Sequence, residues 1–153
     1  MKMSAGELRT MSNRVFIAYG IGLNRSEMAK HCPTAKLICT IELKNYKIAF
    51  RGNRAGALAT IEKSKGGKVP ALLWEISPHD EAALDRWIGV PELYRKATIK
   101  IRRDGSPLDA LIYILISEKP QNKPSAFYYS TLLDGYRAAG FDTEILKVAT
   151  EGE

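Results

Sequence analysis

Arg14 to Tyr19 (RVFIAY) is a short apolar run that enters a glycine-bearing loop, Gly20-Ile21-Gly22, the pattern of a buried strand followed by a turn. Asn24 stands three residues before Glu27, the spacing of a capping box, so a helix is expected to open there and to stop near Pro33. Strand, loop and helix N-terminus thus converge on one point. Unpaired N–H groups at such a terminus favour a carboxylate or phosphate. Leu37, Cys39, Ile41 and Leu43 then alternate with polar residues, and Tyr46–Phe50 and Leu58–Ile61 read as two further strands. Ser64-Lys65-Gly66-Gly67-Lys68 reads as a hairpin turn leading into a strand over Val69–Ile76.

Ser77-Pro78 supplies a capping hydroxyl and a proline at the first helical position, with Asp80 and Glu81 at the positive end of the dipole. Gly89 and Pro91 end that helix. Leu84, Trp87 and Ile88 share one face of it, which turns Ile88 inward near its C-terminus. Ala97, Ile99 and Ile101 alternate with polar residues, Asp104-Gly105 turns the chain, and Leu108–Ile116 returns as a largely buried strand. Ser125 caps a helix that carries Phe127, Tyr128, Leu132 and Tyr136 and ends at Gly140, and a short amphipathic stretch, Thr143–Ala149, follows. Strand, helix, four strands, helix, two strands, helix is not a regular alternation of strands and helices. The expected class is α+β: a mixed, barrel-like sheet with flanking helices.

Length and composition fit one such domain, with 153 residues of which 45% are hydrophobic and 26% charged. The division expected is an extension over 1–12, which precedes or spans the alternative start Met11, and a domain over 13–150. Ala110–Ile116, the longest apolar run, is far below the roughly 18 residues of a membrane span, and MKMSAGELRT lacks a signal-peptide core, so a cytoplasmic protein is expected. Cys32 and Cys39 have no zinc-site spacing and read as reduced thiols; no metal and no cofactor are expected. The net charge of +6 is spread along the chain, which favours a small anionic partner over nucleic acid.

FIAYGIGLN, Met28 with Cys32-Pro33-Thr34-Ala35, LKNYKIAFRG, LATIEKSKGGKVPALLWEI, LDRWIGVPELYRK, ALIYIL and FYYSTLLDGYRAAGF occur in an order and at spacings that resemble the gamma-glutamylcyclotransferase-like family. That resemblance implies a mixed β-barrel with helices around it and a pocket at the loop after the first strand. It implies a Y-G-S-N loop that cradles the substrate carboxylate and a glutamate before a Gly-Val pair as general acid/base. Tyr19 and Gly20 match the loop, whereas Ile21 stands in place of serine and Gly22 in place of asparagine. Ile88 stands in place of the glutamate, directly before Gly89-Val90. The family reaction closes a substrate amine onto its own gamma-carbonyl to give 5-oxoproline, and a positioned acid/base contributes about 10²–10⁴ in rate. Isoleucine has no proton to move, so no catalytic residue is assigned. Asp85, Glu75 and Glu92 are the acids near enough in sequence to be weighed as substitutes; Asp85 matches the Leu-Asp pair that the family already carries beside its glutamate, and all three read as ordinary surface acids.

The expectation is therefore a non-catalytic small-molecule binder, a sensor or a sequestering protein, with a displaced-base cyclotransferase as the alternative. The expected ligand contacts are Tyr19, Gly20, Ile21, Gly22, Leu23, Asn24, Arg51, Gly52, Thr60, Ile88, Tyr94, Arg95, Tyr113, Tyr128 and Tyr129. Arg51 or Arg95 would hold a phosphate or carboxylate and an apolar floor at Ile88 a planar group, a division that suits a nucleotide-derived metabolite.

Overall fold

The computed structural model describes residues 13–116 and 118–151. The stretch read as an N-terminal extension lies outside them. Five strands form one sheet in the order β2-β3-β1-β5-β4: β1 is Arg14–Ala18, β2 Lys36–Arg51, β3 Leu58–Ile76, β4 Tyr94–Arg103 and β5 Ser106–Leu115. Among the described residues four α-helices accompany it: α1 is Arg25–His31, α2 Pro78–Ile88, α3 Ala126–Ala139 and α4 Glu144–Thr150. The mixed α+β class read from the pattern is present, but the sheet stays open between its edges β2 and β4 and does not close into a barrel.

β1 is the middle strand, antiparallel to β3 and parallel to β5 through Phe16 and Leu111. Covered on both sides, it buries Phe16, Ile17 and Ala18 in succession, which explains why its sequence is apolar without alternation. The core continues through Phe50, Leu72, Leu73, Leu84, Leu111, Ile112 and Leu132.

One reading is corrected. Ser64–Gly67 does not turn the chain into a new strand, because β2 and β3 are two long strands paired on both sides of it, Lys44 with Lys68 and Tyr46 with Lys63. The segment is a bulge in β3 that steps out of the ladder opposite Asn45. Left-handed backbone at Gly66 (φ +80°) and Asn45 (φ +68°) makes the step, and the Gly66 amide donates to Asn45 Oδ1 at 3.0 Å. The ribbon reverses instead over 52–57, where the Gly56 amide donates to the Asn53 carbonyl.

The helix starts follow their capping residues. Asn24 Oδ1 accepts from the Glu27 amide at 3.1 Å, but the Glu27 carboxylate pairs with Lys30 and does not return to the cap, so only half of the expected box forms. Ser77 and Asp80 form the complete box at α2, which ends on left-handed Gly89. Cys32 is buried beside Asp80, Cys39 is exposed on β2, and the two are not bonded to each other. No helix among the described residues is long and apolar enough to cross a membrane.

Candidate functional site

β1 delivers Tyr19 to the edge of the core and hands the chain to a 3₁₀ turn over Ile21–Leu23, closed by Leu23 N–H to the Gly20 carbonyl at 2.9 Å and Asn24 N–H to the Ile21 carbonyl at 3.0 Å. The amides that open such a turn have no partner within it. Trp74 on β3 fixes the turn from the sheet side by donating its indole N–H to the Gly22 carbonyl at 3.1 Å. The turn lies directly on the strand it leaves: a Cβ at position 22 would come within 3.0 Å of Ala18 Cβ and 3.1 Å of the Phe16 ring. Glycine at 22 and a bulky ring at 16 therefore go together.

A cavity of about 130 Å³ opens beside this turn. Its wall is assembled from Phe16–Gly22, Leu58 and Ala59 at the start of β3, Ile88 at the end of α2, Leu93 and Tyr94, Tyr113 on β5, and Tyr128 on α3. The sheet order explains the convergence, because β1 lies between β3 and β5 and carries its loop to the end of the sheet where these elements meet. In size the cavity resembles engineered cavities of about 150 Å³ that admit benzene.

Among the described residues, no carboxylate, lysine, arginine, histidine or cysteine belongs to that wall. Its side-chain polar atoms are four phenol oxygens, and each is engaged. Tyr19 donates to the Tyr113 carbonyl at 2.5 Å and Tyr94 to the Ala59 carbonyl at 2.6 Å. Tyr113 donates to Asp85 Oδ1 at 2.7 Å, and Tyr128 accepts from the Ala59 amide at 3.1 Å. Burial pushes all four phenols above their ordinary range, and for Tyr113 the Asp85 carboxylate pushes further in the same direction. They are neutral throughout the physiological range.

The three acids weighed from sequence lie elsewhere. Asp85 sits behind Tyr113, taken by its hydroxyl and by Lys96 Nζ at 2.9 Å. Glu75 accepts from Asn13 Nδ2 at 2.9 Å, and Glu92 is exposed beyond the end of α2. None lines the cavity.

Of the expected contacts, Tyr19, Gly20, Ile21, Gly22, Ile88, Tyr94, Tyr113 and Tyr128 are brought together in the wall. The others are not. Leu23 is fully buried core, and Asn24 is spent as the α1 cap and as a donor to the Thr131 carbonyl. Arg51 is ion-paired with Glu62 and donates to the Lys119 carbonyl, while Gly52 belongs to the reversal after β2 and accepts from Asn122. Thr60 is buried, with Oγ accepting from the Leu115 amide at 3.3 Å, close behind Tyr19. Arg95 follows Tyr94 on β4 and so faces the opposite way, exposed. Tyr129 packs against the core from α3. The charge that Arg51 and Arg95 were expected to bring is thus absent from the cavity wall.

Phe16, Ile17, Ala18, Leu58, Ala59 and Leu93 complete the wall without having been expected there. For most of them the sequence signal was that of ordinary core. Leu93 offered one more, an apolar residue directly after the helix-ending Pro91 and Glu92, and it is 48% exposed.

Comparison with known proteins bears on this geometry. The model of the AIG2-like family matches residues 68–147. The gamma-glutamylcyclotransferases of Mus musculus and Homo sapiens are 25% and 23% identical to this chain over 139 residues, which is 85% of this chain and 73% of each relative. A solved gamma-glutamyl cyclotransferase superposes with a TM-score of 0.76 at 22% identity, over 90% of this chain and 86% of the other. YkqA from Bacillus subtilis superposes with a TM-score of 0.75 at 21% identity, over 95% of this chain and 58% of YkqA.

Proposed function

The chain belongs to the AIG2-like, gamma-glutamylcyclotransferase-like family, and from that premise we propose that it is a non-catalytic small-molecule binder, a sensor or sequestering protein built on the cyclotransferase scaffold. The observation that carries this reading is the chemistry of the cavity wall, which holds no group able to exchange a proton near neutral pH. Release of 5-oxoproline needs a base for the attacking ammonium and an acid for the leaving amine. Ile88, at the position where the resemblance puts the family glutamate, supplies neither. The phenols are held too high to act as bases, and Asp85 is engaged on the outer side of Tyr113. A cavity whose wall carries no acid/base supports binding without turnover.

The test is a 5-oxoproline release assay on gamma-glutamyl amino acids and gamma-glutamyl amines. The expected result is no release above the uncatalysed rate, and none in Ile88→Glu alone, since Ile21 and Gly22 also replace polar loop side chains. Turnover by the native chain that disappears in Asp85→Asn or Glu75→Gln would establish the displaced-base enzyme and overturn the proposal.

A further inference from the structure

Resting on the reading of this cavity as a binding site, we propose that it takes an uncharged aromatic or branched-alkyl group, whose attached chain leaves over Leu93 and Ile116. Phe16, Leu58, Ile88 and Leu93 provide the contact surface, and Ala18 and Ala59 leave the room between them. A ligand group has no side-chain counter-ion to meet. Arg51 and Lys96, two basic residues near this end of the molecule, are each paired with carboxylates outside the wall. An ammonium or carboxylate placed inside would give up its hydration with no side-chain charge to compensate it, so a charged group is selected against.

The side-chain hydroxyls of the wall are taken up in the same way. Three phenols direct their protons at the Tyr113 carbonyl, the Ala59 carbonyl and Asp85, and the Tyr128 oxygen accepts from the Ala59 amide. The rings face the cavity while the hydroxyls are turned to protein partners. What the side chains of the wall present is therefore mainly carbon, in a volume suited to one ring or a short branched chain.

The mouth continues this chemistry outward. Leu93 lines the cavity and is 48% exposed, and Ile116, whose amide donates to the Leu93 carbonyl at 2.8 Å, is 51% exposed. Large apolar side chains held this open to water beside a neutral cavity form a track for an apolar tail.

The experiment is a two-dimensional amide NMR titration of the full chain at pH 7 with toluene, butylbenzene, benzoate and benzylamine, which share one ring and differ in tail and charge. Toluene is expected to shift the Gly20–Gly22 and Ala59 amides and to bind at least about tenfold more tightly than benzoate or benzylamine. Butylbenzene is expected to bind more tightly than toluene, with that gain lost in Leu93→Ser. Ile88→Phe, or Leu58→Phe should the first variant not fold, is expected to fill the cavity and weaken toluene by about tenfold or more. Equal or tighter binding of benzoate or benzylamine, or no response to any of the four, overturns the uncharged-ligand assignment and leaves the non-catalytic reading standing. Release of 5-oxoproline in the separate assay overturns that reading alone.

Discussion

The Tyr113 ring is part of the cavity wall, and its hydroxyl donates to Asp85 Oδ1 at 2.7 Å on the far side, where Asp85 also meets Lys96. Asp85 is therefore separated from the cavity by a tyrosine. Asp85→Asn keeps an oxygen for the phenol and loses the partly exposed ion pair, so unfolding free energy is expected to fall by no more than about 1 kcal/mol. Ligand affinity should be unchanged. Urea unfolding and binding titrations on the one variant check both statements, and a large loss of affinity would place Asp85 at the site after all.

The fit of Gly22 against Phe16 gives a second expectation. Gly22→Ala puts a methyl within 3.1 Å of the ring and 3.0 Å of Ala18 Cβ, an overpacking that costs about 1–3 kcal/mol. Phe16→Leu should recover part of that loss when combined with it. A double-mutant cycle in urea measures the coupling, and strictly additive effects would show that the turn relaxes away from the strand.

Tyr136 on α3 is fully buried, packs edge-on against Phe141, and its hydroxyl has no hydrogen-bond partner among the described residues. Burying such a group costs about 1–3 kcal/mol. Tyr136→Phe keeps the ring and removes the oxygen, so it is expected to be neutral or to stabilise the chain by up to about 2 kcal/mol. A clear loss of stability in thermal or urea unfolding would mean that the hydroxyl is bonded in solution.

The base limb of the stability profile follows from buried acids that ionise more readily once unfolded. Burial pushes the Cys32 thiol from its ordinary value near 9 up to about 11, and the buried phenols are raised as well. A folded pKa above the unfolded one contributes stability that is fully present below the unfolded value and lost as pH rises toward the folded one. Stability should hold to about pH 9, fall between about 9 and 11 through Cys32, and fall more steeply above about 10 as unfolded tyrosines ionise. Cys32→Ala should flatten the first part of that fall, as followed by urea midpoints at pH 8, 9.5 and 11.

Features set by neighbours in sequence were legible. The turn at Gly20–Gly22 followed from an apolar run meeting two glycines, and α2 followed from Ser77, Pro78 and Gly89, which also placed Ile88 facing inward. Features set by register were not. Gly66-Gly67 signals a departure from extended backbone but not its size, and only the pairing of Lys44 with Lys68 makes it a bulge and not a reversal. Arg51 reads as a free cation until the same register puts Glu62 on its face of the ribbon. Arg95 is the instructive case, since strand alternation alone turns it away from whatever Tyr94 faces. Leu58 and Ala59 joined the site only through folding, because no local pattern distinguishes them from other core residues.

The cavity wall is drawn from positions between Phe16 and Tyr128, on four strands, two helices and a turn. No fragment of the chain contains it, so occupancy is thermodynamically linked to the folding of the whole domain. A ligand at one hundred times its dissociation constant would add about 2.7 kcal/mol to the unfolding free energy, raising the melting temperature of a chain this size by roughly 5–10 °C. A bound ligand would thereby show itself as heat resistance.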